Sequence, residues 1–190
     1  MLFTSVSKLP IIEEQQASGE IGKIFADVKR EMGIPVVPNS VKSLAVSPAA
    51  LKIYWDFASS FYRNLTLPQS LVSMILFSIA ERNHCKYCSA ANEMTCRLLG
   101  VDEQTLRDLA RDLGNVTPER LREIILFALK INDGPQSLVA EDYERVRAQG
   151  VSNAELMEIM LVAATARFND TLADAMKIDV DKLVAEALGH

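Results

Sequence analysis

The sequence predicts an all-α protein, and three observations carry that prediction. Helix-start signals recur, with a capping residue just before an apolar-periodic run, as at Ser47-Pro48, Thr66 to Pro68, Asp102 and Thr117-Pro118. Glycines stand where such runs end, at Gly33, Gly100, Gly114, Gly134 and Gly150. No run of period-2 alternation bounded by hairpin turns occurs, and IPVVP at 34–38 carries prolines that demote it as a central strand.

The elements follow in order. Ser18 can cap GEIGKIFADVKREM, a helix over 18–32 that Gly33 stops. Ser47-Pro48 starts ALKIYWDFASSFYRN, and Thr66 with Pro68 starts QSLVSMILFSIAERN. Asn83 is the candidate N-cap of the next helix, which holds Cys85 in its first turn and Cys96 near its end. Helices at 102–113, in ERLREIILFALKIND after Thr117-Pro118, at 139–149, at 152–168 after Ser152 and at 180–188 complete the set.

Two of these segments resemble each other at an offset of 86: LVSMILFSIAERN (71–83) sets against MEIMLVAATARFN (157–169). A structural duplication or two buried helices of similar composition would both give such matches. SMILFSIA and EIMLVAATA are near-continuous apolar runs, and helices apolar on most sides need cover on most sides. Neighbouring subunits can supply it, so a homo-oligomer is expected.

The 190 residues are 49% hydrophobic and 24% charged, with 7 prolines and 8 glycines. That composition fits one ordinary globular domain over 1–190. Its expected parts are N-terminal helices over 1–66, a cysteine-bearing core over 67–114 and a C-terminal helical half over 115–190. The net charge of −5, with no basic run, argues against a nucleic-acid partner. MLFTSVSKLPIIEEQQ lacks a leader pattern and no segment is apolar for bilayer length, so the expectation is a cytoplasmic protein with no membrane partner. No nucleotide or haem motif occurs, and no cofactor is expected.

The chemistry concentrates in NHCKYCSAAN, residues 83–92. Cys85 and Cys88 share one helical face with Cα atoms about 5 Å apart, within disulfide range. In a reducing compartment such a pair is redox-active or metal-binding more often than structural. A thiol in a first helical turn ionises more easily than a free one. Two small buried residues spaced by three would look the same, although Asn83, His84 and Lys86 make the surroundings polar. Zinc would need more ligands than one pair supplies, and Cys96 lies about 12 Å further along the helix, so no metal site is expected.

These residues resemble the AhpD-like alkylhydroperoxidase and carboxymuconolactone decarboxylase superfamily, especially its peroxidase-related branch. The resemblance runs from SPAALKIYWDF through LPQSLVSMILFSIAERNHCKYCSAANEMTCRLLG to AQGVSNAELMEIMLVAATARFNDTLADAMKI. Its strongest pieces are N-x-C-x-Y-C at 83–88 and FNDTLADA at 168–175. It implies an AhpD-like helical fold assembling as trimers or hexamers, and a dithiol that reduces hydroperoxides and is re-reduced by a thiol or dithiol protein. On that pattern Cys88 is attacked by peroxide and Cys85 resolves.

The family pattern also asks for a histidine four residues after the second cysteine and a glutamate twelve before the first. Here those positions hold Asn92 and Ser73. Asparagine cannot exchange a proton at neutral pH, though Asn92 can hydrogen-bond a thiolate or a sulfenate. Glu81 and His84 are the candidates for the missing proton relay, provided the turn at Asn83 brings them to the sulfurs; otherwise they are solvated groups at a helix end. The expected function is therefore a dithiol peroxidase using Cys88 and Cys85, with Glu81, His84 and Asn92 around them. The alternatives are an AhpD-like oligomer serving as a redox sensor or binding module, and a decarboxylase-like enzyme, for which the dithiol has no use.

Overall fold

The structure, a computed structural model, describes residues 9–189. The start of the N-terminal stretch read for a leader falls outside that range. Among the described residues there are ten α-helices and no strand, and no helix is long and apolar enough to cross a membrane. The chain forms two compact units, one of residues up to Leu65 with Ala173–Asp181, the other of Thr66–Leu172 with the residues from Lys182 onward.

In the first unit, α1 (Gly19–Met32) ends as expected at Gly33, whose φ of 64° is the left-handed conformation glycine adopts without strain. Ser18 is extended but makes no side-chain cap bond. The helix α2 (Asn39–Leu44) was not expected from the sequence. Its preceding residue, Pro38, has no capping side chain; instead Asp181 accepts from the Asn39 N–H at 2.8 Å, and Asn39 Nδ2 donates to the Asp179 carbonyl at 3.1 Å. The helix α3 (Pro48–Asn64) begins as expected, with Ser47 Oγ accepting from the Ala50 N–H. Phe25, Val28, Leu51, Trp55 and Ala58 form the core between α1 and α3, and Trp55 Nε1 donates to Asp27 at 2.7 Å.

In the second unit, α4 (Gln69–Asn83) buries an almost unbroken run, Val72 to Ala80, against α5 (Lys86–Leu98), α6 (Glu103–Arg111) and α7 (Glu119–Asp133). Cover for this apolar helix therefore comes from its own chain. Thr66 does not cap α4: the Glu158 carboxylate accepts from the Thr66 N–H and hydroxyl and the Leu67 N–H at 2.7–3.0 Å. Asp102 caps α6 through the Thr105 N–H at 2.9 Å. Pro118, after a cis bond from Thr117, is itself the residue before α7, so Thr117 is not its cap.

After α8 (Ala140–Ala148) comes α9 (Asn153–Met176), which runs eight residues past the expected end at 168. No glycine or proline interrupts it, and the chain turns only where Lys177 takes a φ of 55°. The last helix, α10 (Lys182–Leu188), packs on α5. The aligned segments 71–83 and 157–169 both lie in helices, yet Ile75 is fully buried while its counterpart Leu161 is 44% exposed. Met157, Leu161 and Phe168 make an exposed apolar stripe along one face of α9.

Candidate functional site

The site is built at the break between α4 and α5. His84 has φ 58° and ψ 28°, a left-handed conformation that ends α4, and Cys85 returns to extended backbone before α5 begins. The His84 and Cys85 N–H groups are bonded back to the carbonyls of Glu81 and Ala80. Asn83 is thus the last residue of α4 rather than the cap of α5. Cys85 holds the cap position: its Sγ accepts from the Cys88 N–H at 3.4 Å, where unpaired amides and the helix dipole favour negative charge.

Behind the sulfurs stands Asp170, from α9. One carboxylate oxygen of Asp170 and the two sulfurs lie within 4.8 Å of one another, and all three residues are buried. Asn83 Nδ2 donates to Asp170 Oδ2 at 2.7 Å. Asn83 and Asn132, the latter on α7, exchange reciprocal amide bonds of 3.0 and 2.8 Å. The Asn132 carbonyl accepts from Arg167, and its amide also donates to Asp133 at 3.2 Å. Three helices thereby hold the carboxylate beside the thiols, with its polar neighbours satisfied at 3–4% exposure for Asn132 and Asp170.

The Cys88 thiol is pushed well above the ordinary thiol range. The hydrogen bond with the Cys85 sulfur is the largest cause, followed by burial and then by the charge and hydrogen bond of Asp170. The reduced thiol is therefore protonated at neutral pH, and a carboxylate base is in contact with it. Cys96, fully buried further along α5, is pushed up to about 12 by burial and the nearby Glu93.

The sequence candidates are distributed unevenly. Cys85 and Cys88 come together with Asp170. Asn92 donates to the Cys88 backbone carbonyl at 2.9 Å and so is spent on the main chain rather than on a sulfur. His84 is exposed and Glu81 only partly buried, and no side-chain hydrogen bond joins either to a sulfur among the described residues. Ser73 and Tyr87 are buried. Asp170 and Asn132 went unnoticed in the sequence, though both carried a signal. Asp170 continues the buried positions Ile159, Ala163 and Ala166 of α9, and Asn132 continues Leu121, Ile125 and Ala128 of α7. A polar residue in register with a buried apolar stripe needs a partner.

Neither a protein-family model nor a curated protein matches this sequence. Solved structures do. The chain is similar to an uncharacterized peroxidase-related protein from Ralstonia eutropha JMP134, described as an alkylhydroperoxidase AhpD core, with a TM-score of 0.84, 20% identity and 94% of each chain covered. An uncharacterized peroxidase-related protein from Silicibacter sp. TM1040 gives a TM-score of 0.78 at 20% identity over 97% of this chain and 92% of that one. The debrominase Bmp8 gives 0.80 at 15% identity over 98% of both. The chain has the AhpD-like all-α fold.

Proposed function

We propose that this chain is a dithiol oxidoreductase that reduces hydroperoxides, with Cys88 attacking, Cys85 resolving and Asp170 handling the proton. The observation that carries the reading is the meeting of both sulfurs with one carboxylate inside 4.8 Å in a buried site. Asp170 takes the place in the chemistry that Ser73 and Asn92 cannot fill. It removes the Cys88 proton as the sulfur attacks the outer peroxide oxygen, and returns it to the departing alkoxide as the O–O bond breaks. The Cys85 sulfur then attacks the sulfenic acid, the S–S bond forms, and the hydroxyl leaves with the Cys85 proton as water. Two thiols and one hydroperoxide become a disulfide, an alcohol and water. A thiol or dithiol reductant reverses the disulfide by exchange, which suits the reducing cytoplasm. The α9 stripe of Met157, Leu161 and Phe168 supports self-association into a homo-oligomer.

A second reading is favoured by burial: with Cys85 and Cys88 at 0% and 5% exposure, the pair would oxidise slowly and serve as a redox sensor in a binding module. Consumption of an organic hydroperoxide by the reduced protein, with a dithiol supplied, separates the two. Turnover that vanishes in Cys88→Ser is the expected result, and no turnover in the wild type overturns the peroxidase in favour of the sensor.

A further inference from the structure

We propose that the reduced site binds one Zn2+ ion through the Cys85 and Cys88 sulfurs and the Asp170 carboxylate, and that the ion keeps the dithiol from oxidation while bound. The count of thiols along the sequence finds only two ligands; the fold supplies the third from α9.

The geometry is close to that of a zinc site. Zn–S bonds of about 2.3 Å and Zn–O bonds of about 2.0–2.2 Å in a tetrahedron require ligand atoms about 3.5–3.8 Å apart. The three atoms here lie within 4.8 Å of one another, so the ligands close by about 1 Å around the ion. The ligand set is also selective. Two soft sulfurs with one oxygen suit zinc, whereas calcium and magnesium require oxygen shells.

The surroundings are those of a held ligand set. Asn83 Nδ2 donates to Asp170 Oδ2 at 2.7 Å and so orients the carboxylate. The Asn132 pairing fixes Asn83 in turn, the arrangement by which outer hydrogen bonds orient metal ligands. The Cys88 N–H on Cys85 Sγ stabilises sulfur carrying negative charge. Charge balances as well: one Zn2+ enters and two thiol protons leave, so the buried cluster keeps its single negative charge. Three protein ligands leave the fourth position for water or a small thiol.

Metal binding stands on this cluster alone, while its effect on turnover rests on the dithiol reading above. The test titrates the reduced full-length protein with Co2+ as a spectroscopic probe, and then displaces it with Zn2+. One Co2+ per chain with sulfur-to-cobalt charge-transfer absorption is expected. That absorption should be about halved per bound metal in Cys85→Ser, absent from the disulfide form, and unchanged in Cys96→Ser. Asp170→Asn should weaken binding about tenfold or more. No charge-transfer absorption from the wild type, or an Asp170→Asn affinity equal to wild type, overturns the site. Should Asp170→Asn fail to fold by circular dichroism, zinc-edge X-ray absorption of the wild-type complex decides: two sulfurs with oxygen neighbours support the site, and one or four sulfurs overturn it. Because binding is read without peroxide, a protein that binds Zn2+ yet turns over no hydroperoxide refutes the peroxidase reading and leaves the metal site standing.

Discussion

Asn83 donates its side-chain amide to the Asp170 carboxylate at 2.7 Å, joining residues 87 positions apart. The two residues come from N-x-C-x-Y-C at 83–88 and FNDTLADA at 168–175, the stretches that stand out most in the sequence. Their meeting places one carboxylate oxygen within 4.8 Å of both sulfurs.

Replacing that carboxylate moves two rates in opposite directions. Asp170→Asn removes the proton carrier, so hydroperoxide consumption should fall by about 10²–10⁴-fold. It also removes a negative charge that raises the Cys88 thiol, so alkylation of Cys88 by iodoacetamide at neutral pH should speed up. If both rates fall together, the carboxylate acts through folding rather than through the proton.

Asn83→Ala strips Asp170 and Asn132 of a shared partner. Each buried polar group left without a hydrogen bond costs about 1–3 kcal/mol, and the urea midpoint should drop accordingly. Asn92→Ala, which frees only a helical carbonyl already bonded in α5, should cost less. An Asn83→Ala midpoint equal to wild type would show that the network contributes no stability.

Stability should decline in alkali. Cys88 and Cys96 are both raised in the folded chain, Cys96 to about 12 through burial first and Glu93 second. A raised pKa favours the protonated folded form, so this contribution is complete below the unfolded thiol value of about 8.5 and is lost as pH rises towards the folded values. Urea unfolding of the reduced protein at about pH 7.5 and about pH 10 measures the loss. Cys96→Ser should flatten the decline.

Acid acts through the carboxylates. Glu158 is lowered overall: burial alone would raise it, but its bonds from Thr66 and Leu67 outweigh burial. Asp142 is lowered by Lys130 first and the Val139 N–H second. A lowered pKa contributes stability that is complete above the unfolded carboxylate range of about 4 and is lost as pH falls through the folded values. Glu158→Gln should therefore be less stable than wild type at neutral pH and equal to it once both are acidified below that range; a constant difference down to about pH 2 would contradict this origin.

Leu161→Glu tests the exposed stripe on α9. Leu161 is 44% exposed, so the substitution should leave the circular dichroism spectrum intact and lower the particle mass measured by light scattering. A wild-type protein that is already monomeric at micromolar concentration removes self-association from this face.

Most helices were legible because their signals are local. Ser47 and Asp102 cap the helices that follow them, and Gly33 ends α1, all through bonds between residues a few positions apart. Legibility failed where the partner is distant. Asp181 completes the start of α2, and Glu158 holds the Thr66 hydroxyl that was expected to cap α4. The Cys85 and Cys88 pair was visible from its spacing, but the break at His84, which makes Cys85 rather than Asn83 the cap, follows from a left-handed residue that no glycine or proline announces.

By itself the sequence determined the all-α architecture and the adjacency of Cys85 and Cys88, because periodicity and spacing are properties of neighbours along a chain. Only the tertiary structure decided what stands beside the sulfurs. Packing of α4, α7 and α9 excludes water from one buried point, and there Asn83, Asn132 and Asp170 satisfy one another. In that environment a carboxylate must be hydrogen-bonded to be kept, and the bonds that keep Asp170 also aim it at the thiols.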